Sequence, residues 1–274
     1  MEIQTTNKHY RLGFLGAGKL AGSVIRGLVR AGFCSPTEII AGEPNAEACA
    51  ALRRDTGIST TPENVEAARA EILLVGVKPA VVLPVLQDLA PLLNGKLVIS
   101  LAAGIRTGAM ESLAGGRFMR ALTNTPSAIC AAATGLARGS RTTEHDVEMA
   151  YSIFNAIGTA VEVNEDQIDA VTALSGSGPA FVYSVIKALA DGGEKCGLAG
   201  PAAMKLAAQT VLGAAQLALE TGDSPENLIK MVVTPGGTTA AGLAKMEELG
   251  TVNGLIAAIE AATKRGREMA KEFG

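Results

Sequence analysis

The chain contains no tryptophan, and aromatic residues make up 3% of its 274 residues. Recognition of single-stranded nucleic acid by stacking bases on aromatic side chains is therefore poorly served. Histidine is almost absent, with His9 and His145 the only two. The four cysteines, Cys34, Cys49, Cys130 and Cys196, stand far apart and form no CxxC pair. No zinc-ligand spacing follows from these residues, so no metal site is expected. Reduced thiols in a cytoplasmic protein are the expectation instead. Charge of either sign is in no excess: 24 Lys+Arg face 27 Asp+Glu, for a net charge of −3. No basic patch stands out, and nucleic acid is not an expected partner. Uninterrupted apolar runs such as residues 72–77 fall short of the roughly 18–20 residues a membrane helix needs. Residues 1–11 are polar and lack the apolar core of a signal peptide. The expectation is a chain that neither crosses a membrane nor is secreted.

What is abundant is apolar and small. Hydrophobic residues account for 48% of the chain and there are 32 glycines, with a mean hydropathy of +0.27. That composition excludes a disordered chain and suits close helix packing and sites lined by backbone. At about 100–200 residues per domain, this length fits two modest domains.

The first half alternates two periodicities. Residues 11–15, 38–41, 71–75 and 96–100 read as short buried strands, and residues 20–31, 46–55 and 81–89 as the helices between them. Residues 117–121, 133–137 and 159–163 read as further strands, with a helix over 144–157. Such alternation predicts an α/β fold, a doubly wound parallel sheet covered by helices on both faces. After residue 163 the strands stop. Residues 168–174, 179–194, 201–220, 225–233, 239–248 and 251–273 all read as helices, so we divide the chain into domains 1–163 and 164–274. Residues 202–219 are apolar on most faces (Leu206, Ala207, Val211, Leu212, Ala215 and Leu219 among them). Such a helix is buried, either as one central core helix or in a subunit interface; pattern alone leaves both open.

Gly16-Ala17-Gly18-Lys19-Leu20-Ala21 follows the first strand and opens the first helix. In a GxGxxG/A turn the first glycine permits the tight turn and the second lets backbone approach a pyrophosphate. Ala21, third in the motif, lets helix and strand pack closely. Free N–H groups at the helix start then face the phosphates. With a strand before it and βα units after it, this context points to a dinucleotide. Glu43, after the second strand, stands where an acid accepts hydrogen bonds from the adenosine ribose and repels a 2′-phosphate, a slight preference for NADH over NADPH. Lys19, Arg53 and Arg54 could pull the other way. Val77-Lys78-Pro79 and residues 102–104 follow later strands, where ligands of open parallel sheets sit. The small residues of the second segment leave room for a flat ring.

Three more segments complete a pattern: Thr123-Asn124-Thr125-Pro126, Leu174-Ser175-Gly176-Ser177-Gly178-Pro179-Ala180, and Thr234-Pro235-Gly236-Gly237-Thr238-Thr239. With the glycine turn and Val77–Pro79, they resemble the Δ1-pyrroline-5-carboxylate reductase family, in the expected order from about residue 11 to residue 268. The glycine turn is generic, whereas the second and third segments together are specific. The resemblance implies an N-terminal Rossmann-type domain and an all-α C-terminal dimerisation domain that interlocks with a second subunit, with larger rings of dimers in some members. It implies hydride transfer from NADPH or NADH to the imine carbon of pyrroline-5-carboxylate, the last step of proline synthesis. Cofactor contacts would fall on Gly16, Ala17, Gly18, Lys19, Leu20, Glu43, Asn64, Val77, Lys78, Pro79 and Ala103. Substrate contacts would fall on Glu165, Ser177, Gly237, Thr238 and Thr239. Two departures stand out: an acid at Glu43, where many members carry a small hydroxyl residue, and Met231, where relatives can have Asn.

The chemistry agrees with the residues. A protonated imine is already electrophilic, so the scarcity of histidine is no obstacle, and positioning carries most of the rate. The start of the helix after Gly237 offers N–H groups to the substrate carboxylate, and the Thr239 hydroxyl can bond the ring nitrogen and relay its proton, which makes it the catalytic candidate. A nucleophilic serine finds no His–Asp constellation. Related β-hydroxyacid dehydrogenases use a helical lysine base, but Lys187 and Lys195 lack the Gly-x-x-x-Lys setting expected of them. A non-catalytic dinucleotide sensor would have no need for residues 234–239.

Overall fold

A computed structural model describes residues 9–273. Cα packing divides the chain into two compact units, the residues up to Ser177 together with those from Glu260 on, and Gly178–Ile259.

The first unit is built on βα alternation: β1 (Leu12–Leu15), α1 (Lys19–Arg30), β2 (Ile39–Gly42), α2 (Ala46–Thr56), β3 (Ser59–Thr61), α3 (Asn64–Ala67), β4 (Ile72–Val75), α4 (Pro79–Asp88), α5 (Ala90–Leu93), β5 (Leu97–Ser100), α6 (Thr107–Glu111), β6 (Arg117–Leu122), β7 (Ala132–Arg138), α7 (Glu144–Asn155) and β8 (Gly158–Glu162). The strands form one eight-stranded sheet in the order β3-β2-β1-β4-β5-β6-β7-β8. From β3 to β6 every pairing is parallel. β7 then runs antiparallel to β6, and β8 parallel to β7, so the expected parallel sheet gains an antiparallel step near one edge.

Alternation along the strands builds two cores. Ile72 and Leu74 of β4 join Leu12, Phe14 and the apolar face of α1 (Ala21, Val24, Ile25, Leu28) on one side of the sheet. Leu73 and Val75 join Leu15, Val98 and the α4 residues Val82 and Leu86 on the other. Strands covered on both faces are why these segments read as continuous apolar runs in the sequence. α7 starts with a capping box: Asp146 donates its N–H to the Thr143 hydroxyl and accepts from the Thr143 N–H. Asp146 also takes a two-pronged bond from Arg117 on β6, at 2.7 and 2.9 Å. Arg138 on β7 bridges Glu144 and Glu162 and ties α7 to β8.

After β8, α8 (Ile168–Val171) runs into a π-helical turn, Thr172–Gly176. The second unit then holds α9 (Gly178–Lys195), α10 (Gly200–Thr221), α11 (Pro225–Val232), α12 (Thr238–Glu248) and the beginning of α13 (Thr251–Phe273). The expected division after residue 163 marks where strands give way to helices. Compactness divides the chain differently: residues 164–177 and the last turns of α13 pack with the sheet. Ile168 joins Leu122 and Ala137, and Gly266 lies against Asp169.

Taken alone, the second unit has little core. Ala190, Ala203 and Ala207 are its buried cluster, with Ile186 packed against them. On α10, Leu206 is 57% and Leu212 53% exposed. One chain therefore does not bury α10, which removes the reading as a single central core helix. The expectation about membrane-length segments also needs correction. α10, with 22 residues and mean hydropathy 1.2, is long and apolar enough by length and composition to cross a bilayer. Its apolar residues are interrupted by Lys205, Gln209, Thr210 and Gln216, so no uninterrupted run betrays it.

Candidate functional site

The strand order reverses between β1 and β4, with β2 and β3 on one side and β5 and β6 on the other. Neighbouring βα loops diverge at such a point and leave a crevice beyond the carboxyl ends of the strands. Here the crevice is a cleft of about 460 Å³ lined by Gly16, Gly18, Gly42, Glu43, Pro44, Asn64, Gly76, Val77, Lys78, Val81 and Val85.

The glycine turn shows why its residues are small. Gly16 has φ +85°, and a Cβ there would lie 2.9 Å from Val77 Cγ1. Both the left-handed backbone and the lack of space demand glycine. Its N–H donates to Gly42 O at 2.8 Å, which ties the turn to the end of β2. Gly18 is different: a Cβ there would meet nothing within 4 Å. It stands at the N-cap of α1, with no side chain capping the helix start. Open space over an uncapped helix N-terminus fits a pyrophosphate held by backbone N–H groups. The residues present therefore fit a dinucleotide.

Of the sequence-derived cofactor residues, the structure gathers Gly16, Gly18, Glu43, Asn64, Val77 and Lys78 around the cleft. Ala17, Lys19 and Leu20 belong to the same turn and helix start. Pro79 opens α4 beside Lys78. Ala103 follows β5 and is not part of the cleft lining. Gly42, Pro44, Gly76, Val81 and Val85 were not anticipated. Gly76 had a legible signal, a glycine directly after a buried strand: a Cβ there would lie 2.6 Å from that of Ala21, so it sets how closely α1 approaches.

Glu43 is half-buried and engaged. Its Oε2 accepts from the Ala17 N–H at 3.0 Å and its Oε1 from the Asn45 N–H at 3.1 Å. The carboxylate thus sits directly on the glycine turn. Of the competing cations, Arg53 donates to Thr60 Oγ1 at 2.6 Å, while Lys19 and Arg54 are exposed.

The segments expected to meet the substrate belong partly to each unit. In the sheet unit, Asn124 is buried; its Nδ2 donates to Ser175 O at 3.1 Å and its Oδ1 accepts from the Ala133 N–H. It fastens the wide turn that leads to Ser177. In the helical unit, Gly236 has φ +72° and Gly237 is the uncapped N-cap of α12. A Cβ on Gly237 would fall 2.3 Å from Thr234 Oγ1, so a larger residue there would have to turn that threonine aside. Thr238 and Thr239 begin the helix, and its first N–H groups are free for an anion.

Glu165 is held within the sheet unit. Its Oε1 accepts from the Thr107 N–H at 2.6 Å, and its Oε2 from the Thr107 hydroxyl at 2.7 Å. Arg120 Nη1 is 3.7 Å away. The Arg120 side chain is 2% exposed, and burial pushes its basicity down while Glu165 and Asp169 pull it back. Both oxygens of Glu165 thus serve the chain itself. His9 pairs with Glu71, and His145 lies near Glu148; both are exposed. Among the described residues, no group of three or more His, Cys, Asp or Glu could hold a metal ion.

Comparison with known proteins covers both units. The family model described as pyrroline-5-carboxylate reductase dimerisation matches residues 165–269, and that described as NADP oxidoreductase, coenzyme F420-dependent, matches residues 11–104. A pyrroline-5-carboxylate reductase of Methanosarcina acetivorans is 40% identical over 269 residues, 97% of this chain and 100% of that one. The solved reductase of Coxiella burnetii superposes with a TM-score of 0.87 at 35% identity, covering 95% of this chain and 98% of that one. The Plasmodium falciparum enzyme, solved with NADP bound, gives 0.87 at 28% identity over 96% and 99%. With identity of this order running through sheet and helices alike, the chain belongs to the pyrroline-5-carboxylate reductase family.

Proposed function

We propose that this protein reduces Δ1-pyrroline-5-carboxylate to L-proline at the expense of a reduced nicotinamide dinucleotide. The observation that carries the reading is the glycine-led cleft at the sheet's switch point, in a chain matched over nearly its whole length by reductases of that name. When bound, the reduced dinucleotide supplies a hydride to C5 of the protonated imine, and the ring nitrogen becomes a secondary amine.

The chain's part is positioning. Gly16, Ala17, Gly18, Lys19 and Leu20 hold the pyrophosphate on the α1 N-terminus. Val77, Lys78, Pro79 and Ala103 line the path toward the nicotinamide, and Asn64, which follows β3, stands on the adenosine side. Glu43 receives the adenosine ribose and favours NADH. Gly237 and Thr238 present backbone N–H groups to the substrate carboxylate, with Ser177 beside it. The Thr239 hydroxyl bonds the ring nitrogen and relays its proton from solvent. A dimerisation domain and the exposed apolar faces of α9 and α10 support a homodimer formed through the helices; rings of such dimers belong to the same proposal. The four cysteines are free thiols, in keeping with a reducing cytoplasm.

The test mixes purified protein with pyrroline-5-carboxylate and follows loss of the reduced nicotinamide absorbance, with NADH and NADPH in separate runs and proline identified as product. Rapid oxidation with proline formed is the expected result. Folded protein that binds either coenzyme but oxidises neither would move the assignment to another imine or hydroxyacid substrate.

A further inference from the structure

The segment joining β5 to α6, residues 101–106, lies beyond the carboxyl end of β5. In a sheet ordered β3-β2-β1-β4-β5-β6, the first three strands carry the adenosine half of a dinucleotide and the next three the nicotinamide half. Residues 102–104 thus lie on the side where hydride transfer takes place. Loops at such positions are ordinarily among the more mobile parts of a fold. This one is fastened three times. Leu101 donates its N–H to Val75 O at 2.9 Å, at the end of β4. Gly104, at φ +76°, lies so close to α13 that an added Cβ would be 3.2 Å from the Met269 backbone. The third fastening is Glu165, whose two oxygens accept from the Thr107 N–H and hydroxyl at 2.6 and 2.7 Å.

Glu165 is itself anchored from below. Arg120 of β6 lies beneath it, its side chain 2% exposed, and Glu165 is its one carboxylate within ion-pair distance among the described residues. Arg120 Nε and Nη2 have no hydrogen-bond partner. A buried guanidinium holds the carboxylate at ion-pair distance firmly, because separating the two weakens the compensation of a cation in a low dielectric. Both oxygens of Glu165 are thus engaged by Thr107, with Arg120 beside Oε1. We propose that Glu165 is a positioning residue: seated on Arg120, it clamps Thr107 and fixes the 102–104 loop against which the nicotinamide ring rests. This rests on the function proposed above. Hydride transfer needs its two carbons about 3–3.5 Å apart, and a misplacement of about 1 Å from a remote change can cost roughly 100-fold in rate.

The test uses the full-length protein with Thr107→Val, Thr107→Ser and Glu165→Gln. Valine keeps the shape and the backbone N–H but removes the hydroxyl bond; serine retains it. Thr107→Val is expected to lower kcat about tenfold, within the roughly 100-fold reach of such misplacement, with the dinucleotide Kd by fluorescence changed less than twofold. The deuterium isotope effect on kcat, with coenzyme labelled at the transferred position, should rise as hydride transfer becomes rate-limiting. Hydrogen exchange at residues 101–106 should quicken in the free protein, while that of α1 is unchanged. Serine should restore all of these, and Glu165→Gln should reproduce the valine phenotype. Should the glutamine variant fail to fold, the Thr107 pair carries the test alone. Wild-type kcat, isotope effect and loop exchange in Thr107→Val would overturn the proposal. So would a Glu165→Gln variant whose defect is confined to KM for the imine, since that marks direct substrate contact. If wild-type protein reduces no pyrroline-5-carboxylate, the proposed function fails, and loop exchange with dinucleotide Kd decides the clamp by itself.

Discussion

Glu43 offers the sharpest test of how the cleft reads its coenzyme. Its carboxylate lies at the end of β2, bonded to the Ala17 and Asn45 N–H groups, in the cleft shared with Gly16 and Asn64. Two variants separate its effects. Glu43→Gln keeps an acceptor for the Ala17 N–H and removes the charge; Glu43→Ser removes both. A 2′-phosphate of charge near −2 about 5 Å from the carboxylate is repelled by roughly 1–2 kcal/mol at a dielectric close to that of water. A ribose hydroxyl bonded to the carboxylate is worth a further ~1.5 kcal/mol to NADH. Glutamine relieves the repulsion and should move the NADPH/NADH ratio of kcat/KM about tenfold toward NADPH; serine does both and should move it about 100-fold. The repulsive part is screened within about 8 Å at physiological ionic strength, so the glutamine effect should shrink in high salt. Steady-state rates with each coenzyme, at low and high salt, are the assay. A ratio that stays within twofold of wild type in both variants would remove Glu43 as the selector.

Other expectations follow from the same geometry. Gly18→Ala should leave the melting temperature unchanged, since its Cβ meets nothing in the protein, yet weaken dinucleotide binding at least about tenfold by filling the space over the helix start. Gly16→Ala should instead destabilise by roughly 1–3 kcal/mol, from its positive φ and the contact with Val77; calorimetry with and without coenzyme separates the two. Asp146→Asn breaks a pair in which Asp146 is 2% and Arg117 31% exposed, so about 2–3 kcal/mol should be lost, less than for a fully buried pair. Burial raises the Asp146 pKa, but the bonds from Arg117 and Thr143 outweigh it and hold the value below the ordinary 3.8. Its stabilisation is then complete above pH 3.8 and lost as pH falls through the lower folded value. The wild-type advantage over the asparagine variant, measured by urea melts, should close below that pH. Thr239→Ala should lower kcat by about 100-fold or more with coenzyme affinity intact, and Leu212→Glu on the exposed face of α10 should yield monomers in sedimentation.

What could be read from the sequence follows physical lines. β1, β2, β4 and β5 are legible because strands buried on both faces must be apolar throughout. β3, with the polar sequence Ser59-Thr60-Thr61 at the sheet edge, carries no such signal. The reversal of β7 is equally silent, because strand direction depends on a connection, not on composition. The glycine turn was readable because each glycine answers a local need. Glu165 was not, since its partners Thr107 and Arg120 are 58 and 45 positions away in the chain, and no periodicity links them. The family resemblance implies a substrate contact at Glu165; the geometry adds that both its oxygens accept from Thr107.

The helical unit shows why apolar pattern alone could not decide the place of α10. A helix apolar on most faces has to be covered, but the pattern does not say by what. In a single chain the buried cluster of this unit amounts to three alanines, while Leu206, Leu212, Leu217 and Leu219 stay in contact with water. Each fully covered leucine is worth about 1.5–3 kcal/mol, so covering these four outweighs much of the 5–15 kcal/mol that typically separates folded from unfolded states. In the homodimer proposed above, membrane-length hydropathy and the dimerisation domain describe one surface. On that proposal its stability belongs to the assembly, not to the chain. The helical unit should therefore melt at a temperature that rises with protein concentration, while the sheet unit, whose two cores are complete within one chain, should not.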